Sequence, residues 1–149
     1  MRTLLACVLG AVFSLALFLA EGFYVTNFTK GGRVVADVLF SINPTDAVLV
    51  AKYGGDPFEL IRSMQRTEKF VLQPLIAIAV AILVGFVDSS RPRLSATVAL
   101  APWIALNLAH LHWGQSCKAC LGMDVALNAA YLGIGIMTAH YCGRLRRPT

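Results

Sequence analysis

FVLQPLIAIAVAILVGFV, residues 70–87, carries no charged side chain, and its one strongly polar group is Gln73. A helix rises about 1.5 Å per residue, so roughly 20 such residues cross the hydrocarbon layer of a bilayer. The stretch shows none of the period-two alternation of a barrel strand. It therefore reads as a membrane-spanning helix, and that reading decides the fold. Pro74 falls inside it, where the missing N–H and the ring's clash with the preceding turn predict a kink.

Three further runs have the same character. They are TLLACVLGAVFSLALFLA at 3–20, LSATVALAPWIALNLAHLHW at 94–113, and a less uniform run at about 120–141. Lipid offers no partner for an open backbone donor or acceptor, so these runs are expected to be helical. The chain of 149 residues is 57% hydrophobic and only 14% charged, with a mean hydropathy of +0.67. Both figures lie outside the range of soluble domains. The expectation is a single all-α membrane domain over 1–149. It takes the form of a bundle of four transmembrane helices, with a partly helical extracytoplasmic loop at about 21–69 between the first two.

The first run also resembles a signal peptide, with Arg2 before it and Ala20 at its end. Leu17-Phe18-Leu19-Ala20 is no A-x-A cleavage site, however. Leu4-Leu5-Ala6-Cys7 resembles a lipobox, yet the cysteine precedes most of the apolar run. The run reads as a retained anchor.

Orientation is read from Lys and Arg in short flanking segments. With four spans, Arg2, Arg91, Arg93, Arg144, Arg146 and Arg147 share one side in a few short stretches. The opposite side has Lys118 in its short turn, and six bases in the long loop that are offset there by six acids. The denser side is expected to be cytoplasmic, placing both termini inside a plasma (inner) membrane. The net charge of +5 then reads as an anchor to anionic lipid, and no nucleic-acid partner is expected.

The long loop carries its own folding signals. Thr45 is placed to cap a helix over Asp46–Tyr53, and Gly54-Gly55 to end it. Asp56-Pro57-Phe58-Glu59 has an N-cap aspartate, proline at the first helical position and glutamate at the third, and so starts another helix. That helix should run straight into the second span, with Phe58, Ile61 and Met64 at helical spacing. GGRVVADVLFSIN, residues 31–43, fits a helix lying on the outer surface, and its β-branched residues also admit a strand. Asn27-Phe28-Thr29 matches a glycosylation sequon, read here as a chance match so close to the first span.

The chemistry-bearing residues concentrate in HLHWGQSCKACLGMD, residues 110–124. With Ser116 as a helix cap, Cys117 and Cys120 occupy the first turn of the fourth span at i and i+3. There the helix dipole and Lys118 favour a thiolate. A structural disulfide is the simplest expectation, and a cycling dithiol is the catalytic alternative. The plan of four helices with an external C-x-x-C at a helix start resembles the DsbB and vitamin K epoxide reductase group. That resemblance implies a membrane thiol–disulfide oxidoreductase with Cys117 and Cys120 as its reactive pair. Those families use a second cysteine pair on the same face to pass electrons to a quinone, and this chain has none. Cys7 and Cys142 fall at the other ends of their helices and read as buried free thiols.

His110, His112, Cys117 and Cys120 also make up the ligand set of a tetrahedral zinc site. On a regular helix i and i+2 diverge by about 200°, so the two histidines converge only if the third span unwinds near His112. The motif for covalent haem is absent, because Leu121 follows Cys120. No residue pattern names a cofactor. A third set of candidates is polar and intramembrane. Asp124 and Asn128 share a helix face, and Asn107 lies on the preceding helix. Such groups line transport paths or small-molecule pockets, or simply hold helices together. Asp124 itself is expected to be solvated or paired with Lys118, and Gly133 and Gly135 to permit close packing.

No nucleophile–base pair, phosphate-binding glycine loop or carboxylate dyad is visible. An accessory or structural subunit of a larger membrane complex is the functional expectation. Its partners would be the lipid bilayer and other membrane subunits or further copies of the chain. Redox catalysis, metal binding and small-molecule transport are the alternatives, and a non-enzymatic role is favoured.

Overall fold

The apolar runs fold as helices, and so does most of the polar segment between the first two. The computed structural model describes residues 1–40, 45–114 and 118–146, with side chains outside 110–121. Among these residues the protein is all-helical. The elements are α1 (Arg2–Phe28), α2 (Lys30–Phe40), α3 (Asp46–Tyr53), α4 (Pro57–Thr67), a π-helical turn (Glu68–Leu72), α5 (Gln73–Val87), α6 (Pro92–Gly114) and α7 (Lys118–Leu145). Three helical stretches among them are long and apolar enough to cross a membrane, namely Arg2–Phe28, Pro57–Val87 and Gly122–Leu145. The fourth expected span, 94–113, lies within α6.

By packing, the chain divides into two units, residues 1–18 with 73–149 and residues 19–72. The core of the first is drawn from α1, α5, α6 and α7, with Val80, Val84, Leu100 and Trp103 fully buried. The inward faces are marked by small and polar residues rather than by the most apolar ones. On α1 they are Ala6, Gly10 and Ser14, one turn apart. On α7 they are Asp124, Asn128, Tyr131, Gly135, Ala139 and Cys142. In lipid, apolarity does not separate inside from outside, so helices meet where small residues let backbones approach. Gly135 does this as expected, since a methyl group there would stand 2.5 Å from Leu100 Cδ1. Gly133 does not, for it has nothing within 4 Å.

The turn from α5 to α6 is organised by Asp88. Its Oδ1 accepts from the Ser90 N–H at 3.1 Å, the Ser90 hydroxyl at 2.5 Å and the Arg91 N–H at 3.2 Å. Its Oδ2 accepts from the Ser95 hydroxyl at 2.7 Å. Thr3, at the start of α1, is near enough to add a smaller favourable interaction with the carboxylate. Burial by itself would raise the Asp88 pKa. The donors outweigh it and hold the carboxyl well below its ordinary range.

In the second unit α1 continues eight residues past the expected end of the first span and stops at Phe28. Thr29 makes the corner. Its hydroxyl donates to Val25 O at 2.6 Å and accepts from Gly32 N–H at 2.9 Å. Glycine is required here, because a methyl group at Gly32 would stand 2.0 Å from Val25 O, and one at Gly31 2.4 Å from Leu60 O. These contacts place α2 against both the end of α1 and α4. The expected segment 31–43 is helical as far as Phe40, without the strand alternative there, and its last three residues lie outside the described residues.

Residues Asp46–Tyr53 form α3 as read from the sequence, and Gly54 ends it at φ 71°. Thr45 is extended, but its side chain makes no capping bond. Only its carbonyl serves, accepting from Val48 and Leu49 N–H. Asp56 does cap α4, its carboxylate accepting from Phe58 N–H at 3.0 Å with Pro57 at the first turn. Phe58 is exposed rather than packed.

From Asp56 the chain runs as one helical rod to Val87, as expected, interrupted only by the π-turn. Its position is informative. Pro74 lacks an N–H for the carbonyl four residues back, at Phe70, and its ring crowds that carbonyl. Phe70 lies within the π-turn. Widening one turn moves the orphaned carbonyl away from the ring while the rod continues. The proline's disturbance thus takes the form of an inserted residue.

Candidate functional site

Three of the buried polar side chains in the apolar helices, Asn107, Asp124 and Asn128, lie on α6 and α7. Trp103 and Tyr131 pack ring against ring, with centroids 6.0 Å apart. Asn107 follows Trp103 by one turn on α6, and Asn128 precedes Tyr131 by one turn on α7. The helices are antiparallel neighbours joined by three residues, so the two amides share a layer. Both are buried, as is Asp124 one turn further along. Asp124 is 2% exposed, which removes the solvated alternative, while the side chain of its other expected partner, Lys118, lies outside the described residues.

The Asn128 amide nitrogen donates back to Asp124 O at 2.9 Å. Its Oδ1, Asn107 Nδ2 and Trp103 Nε1 are buried with no hydrogen-bond partner among the described residues. Among the described residues, two donors and an acceptor are therefore left unmatched along the seam between α6 and α7. A buried polar group left unmatched costs about 1–3 kcal/mol, so a polar guest bridging them, water included, gains what the protein leaves unsatisfied. In chemistry this is a hydrogen-bonding seam rather than a nucleophile–base constellation.

The other predicted candidates stand at the connection of these helices. Cys117 lies outside the described residues, and so do the side chains of His110, His112 and Cys120. The backbone is helical through His110 and His112 up to Gly114, and Cys120 lies in the first turn of α7. Cys7 and Cys142 are free thiols, the first half-buried and the second buried. Among the described residues no group of three metal-ligating side chains forms.

Two features were missed in the sequence. The first is Glu21, counted there only as a loop acid. It is 7% exposed, its Oε1 has no hydrogen-bond partner among the described residues, and Glu68 is close enough to interact electrostatically with it. The spacing of Ala6, Gly10 and Ser14, extended by helical steps along α1, does reach position 21. That signal was available.

The second feature is a cleft of about 760 Å³ in the 19–72 unit, between the end of α1, α2 and the last turn of α3. Asp37 forms one wall. Its Oδ2 accepts from Lys52 Nζ at 2.6 Å and from the Tyr53 hydroxyl at 2.7 Å. The Lys52 hydrogen bond, helped by that of Tyr53, holds the Asp37 carboxyl below its ordinary range and lifts Lys52 in turn. Burial, then the Asp37 bond, raises the Tyr53 phenol. Thr26, Asn27, Lys30 and Arg33 form the facing wall. No sequence signal joins positions 26, 37 and 53, because only the corner at Thr29 and the turn of α2 bring them together.

Comparison with protein-family models, curated proteins and solved structures finds no match to this chain.

Proposed function

We propose that this protein is a four-span membrane protein with both termini cytoplasmic, acting as an accessory or structural subunit of a larger membrane complex. In this reading α6 is the remaining span, and the 19–72 unit lies on the extracytoplasmic side. The supporting observation is how little of the apolar helix surface the chain covers by itself. Within the most apolar windows of the three candidate spans, 17%, 33% and 28% of residues are buried. On α1 the buried edge runs through Ala6, Gly10 and Ser14 and on to Glu21 and Val25, while Leu4, Leu5, Val8, Val12 and Leu19 point outward. A single edge suffices to hold α1 to its own chain. The opposite, Leu- and Val-rich face is then open to neighbouring helices as well as to lipid.

Purification of the tagged full chain from its native membrane in mild detergent tests the reading. The expected result is co-purification of membrane proteins in fixed stoichiometry, lost when Val8 and Val12 are both changed to Trp. A chain that elutes alone as a monomer under conditions that preserve other complexes of the same membrane overturns it.

A further inference from the structure

We propose that the cleft beside the α1–α2 corner binds a phosphate ester, the phosphate of an anionic phospholipid headgroup. The inference goes beyond the subunit reading and does not depend on it. It starts from charge. The cleft brings together Lys30, Arg33 and Lys52 against a single carboxylate, Asp37. Asp37 is engaged by Lys52 and Tyr53. Lys30 and Arg33 form no ion pair among the described residues. Two cations are thus left facing a polar cleft, with the Thr26 and Asn27 side chains beside them.

Arg33 is also held in place. Its Nε donates to Asn27 O at 2.8 Å, which spends one of its five donors and leaves the outer edge of the guanidinium open. An immobilised guanidinium suits a phosphate, whose oxygens accept paired donors, while Lys30 adds a mobile point charge. The Lys52–Asp37–Tyr53 network fixes the opposite wall, so the cleft needs no ordering on binding.

Depth indicates the source of the phosphate. About 20 helical residues cross the hydrocarbon layer. Counted from Thr3 along α1, that layer ends near Gly22. Thr26 and Asn27 follow about 6 Å further along the axis, at headgroup depth. The aromatic residues of the same turns agree. Tyr24 stacks on Phe28 at 5.7 Å and Phe23 meets Phe28 edge-on at 6.1 Å, and all three are exposed. Exposed aromatic residues at the end of an apolar helix are the usual mark of the membrane–water interface. The cleft opens where headgroup phosphates lie.

The test uses the full chain in detergent and native mass spectrometry, with short-chain phosphatidylglycerol, phosphatidylcholine and inorganic phosphate as probes. The expected result is one retained phosphatidylglycerol per chain, favoured over phosphatidylcholine. Lys30→Gln should weaken it about fivefold, as for one basic residue near a lipid surface, and Lys30→Gln/Arg33→Gln by more than tenfold. Lys30→Arg should restore binding to Lys30→Gln. The double variant Arg91→Gln/Arg93→Gln removes equal charge elsewhere and should bind as the parent does. If Arg33→Gln opens the corner and the chain misfolds, the Lys30 pair alone decides. Inorganic phosphate that displaces the lipid at equal concentration would assign the cleft to a soluble phosphate and overturn the lipid source. Equal losses in the Lys30 and Arg91/Arg93 variants, or none in either, would overturn the site.

Discussion

The Ser14 hydroxyl donates to the carbonyl oxygen of Ala99 at 2.9 Å, from α1 to α6, while also bonding Ala11 O on its own helix. One turn earlier, a methyl group on Gly10 would stand 2.5 Å from Ala99 Cβ and 2.6 Å from Val84 Cγ2. The two residues make a single point of attachment, in which close approach at Gly10 brings the Ser14 hydroxyl within reach of Ala99. Gly10→Val should therefore destabilise the protein by about 2 kcal/mol through overpacking. Ser14→Ala should cost about 0.6 kcal/mol, as expected of interhelical hydrogen bonds in lipid. Thermal unfolding in detergent measures both, and Gly133→Ala, which meets nothing, is the control. A Gly10→Val protein as stable as the parent would show that α1 does not dock here.

Asp88 predicts a pH effect of definite sign. Its folded pKa lies below the ordinary value of 3.8. The stability it contributes is present above pH 4 and is lost as pH falls through the folded value. Asp88→Ala should cost about 3 kcal/mol at neutral pH, since several donors lose their acceptor at once. It should also flatten the acid limb of the stability–pH curve. An unchanged acid limb would mean that this carboxylate is not what the acid titrates.

The seam between α6 and α7 predicts non-additivity. A polar guest bridging Asn107 Nδ2 and Asn128 Oδ1 loses one partner in either Asn107→Leu or Asn128→Leu, so each should cost about 1–2 kcal/mol. The double variant removes both amides and should cost less than the sum. Strict additivity in chemical unfolding would place the two amides in separate environments.

Pro74→Ala restores an N–H and removes the ring, so the reason for the π-turn disappears. Amide hydrogen exchange over residues 70–74 should slow several-fold as a regular α-helical ladder forms. Unchanged exchange would show that the widened turn is held by its surroundings and not by the proline.

The wall of the basic cleft has a pH window. Asp37 is lowered by its Lys52 and Tyr53 hydrogen bonds, so its contribution is complete above pH 4 and fades as pH falls through its folded value. Lys52 is raised, so its contribution is complete below 10.5 and fades as pH rises through its own. The Lys52–Asp37–Tyr53 network, followed by the NMR shift of the Tyr53 ring, should be level between these limits. Asp37→Asn should remove the acid transition. An acid transition that survives in Asp37→Asn would assign it to another group.

Much of the architecture is legible without coordinates. The length and apolarity of 70–87 require a helix, Asp56-Pro57 starts its rod, and Gly54 ends α3, because each is a local property of backbone and side chain. The inward faces were legible in principle too, in the small and polar residues spaced three or four apart on α1 and α7. They are easily passed over, since in an apolar span the hydrophobic residues point everywhere. Asn107, Asp124 and Asn128 could be grouped by helical spacing alone, but not their burial or their unmatched atoms.

What the sequence by itself determined is therefore the apolar helices, several of their starts and stops, and the apolar solvent that their length implies. Only the tertiary structure decided that Asp88 is buried and bonded by Ser90, Arg91 and Ser95, that Glu21 is buried near Glu68, and that Lys30, Arg33, Asp37, Lys52 and Tyr53 line one cleft. The physical reason is range. Helix formation and capping act over about four residues and can be read along the chain. A cleft exists only once Gly31 and Gly32 allow the backbones of α1, α2 and α4 to approach, which brings together residues that no spacing rule connects.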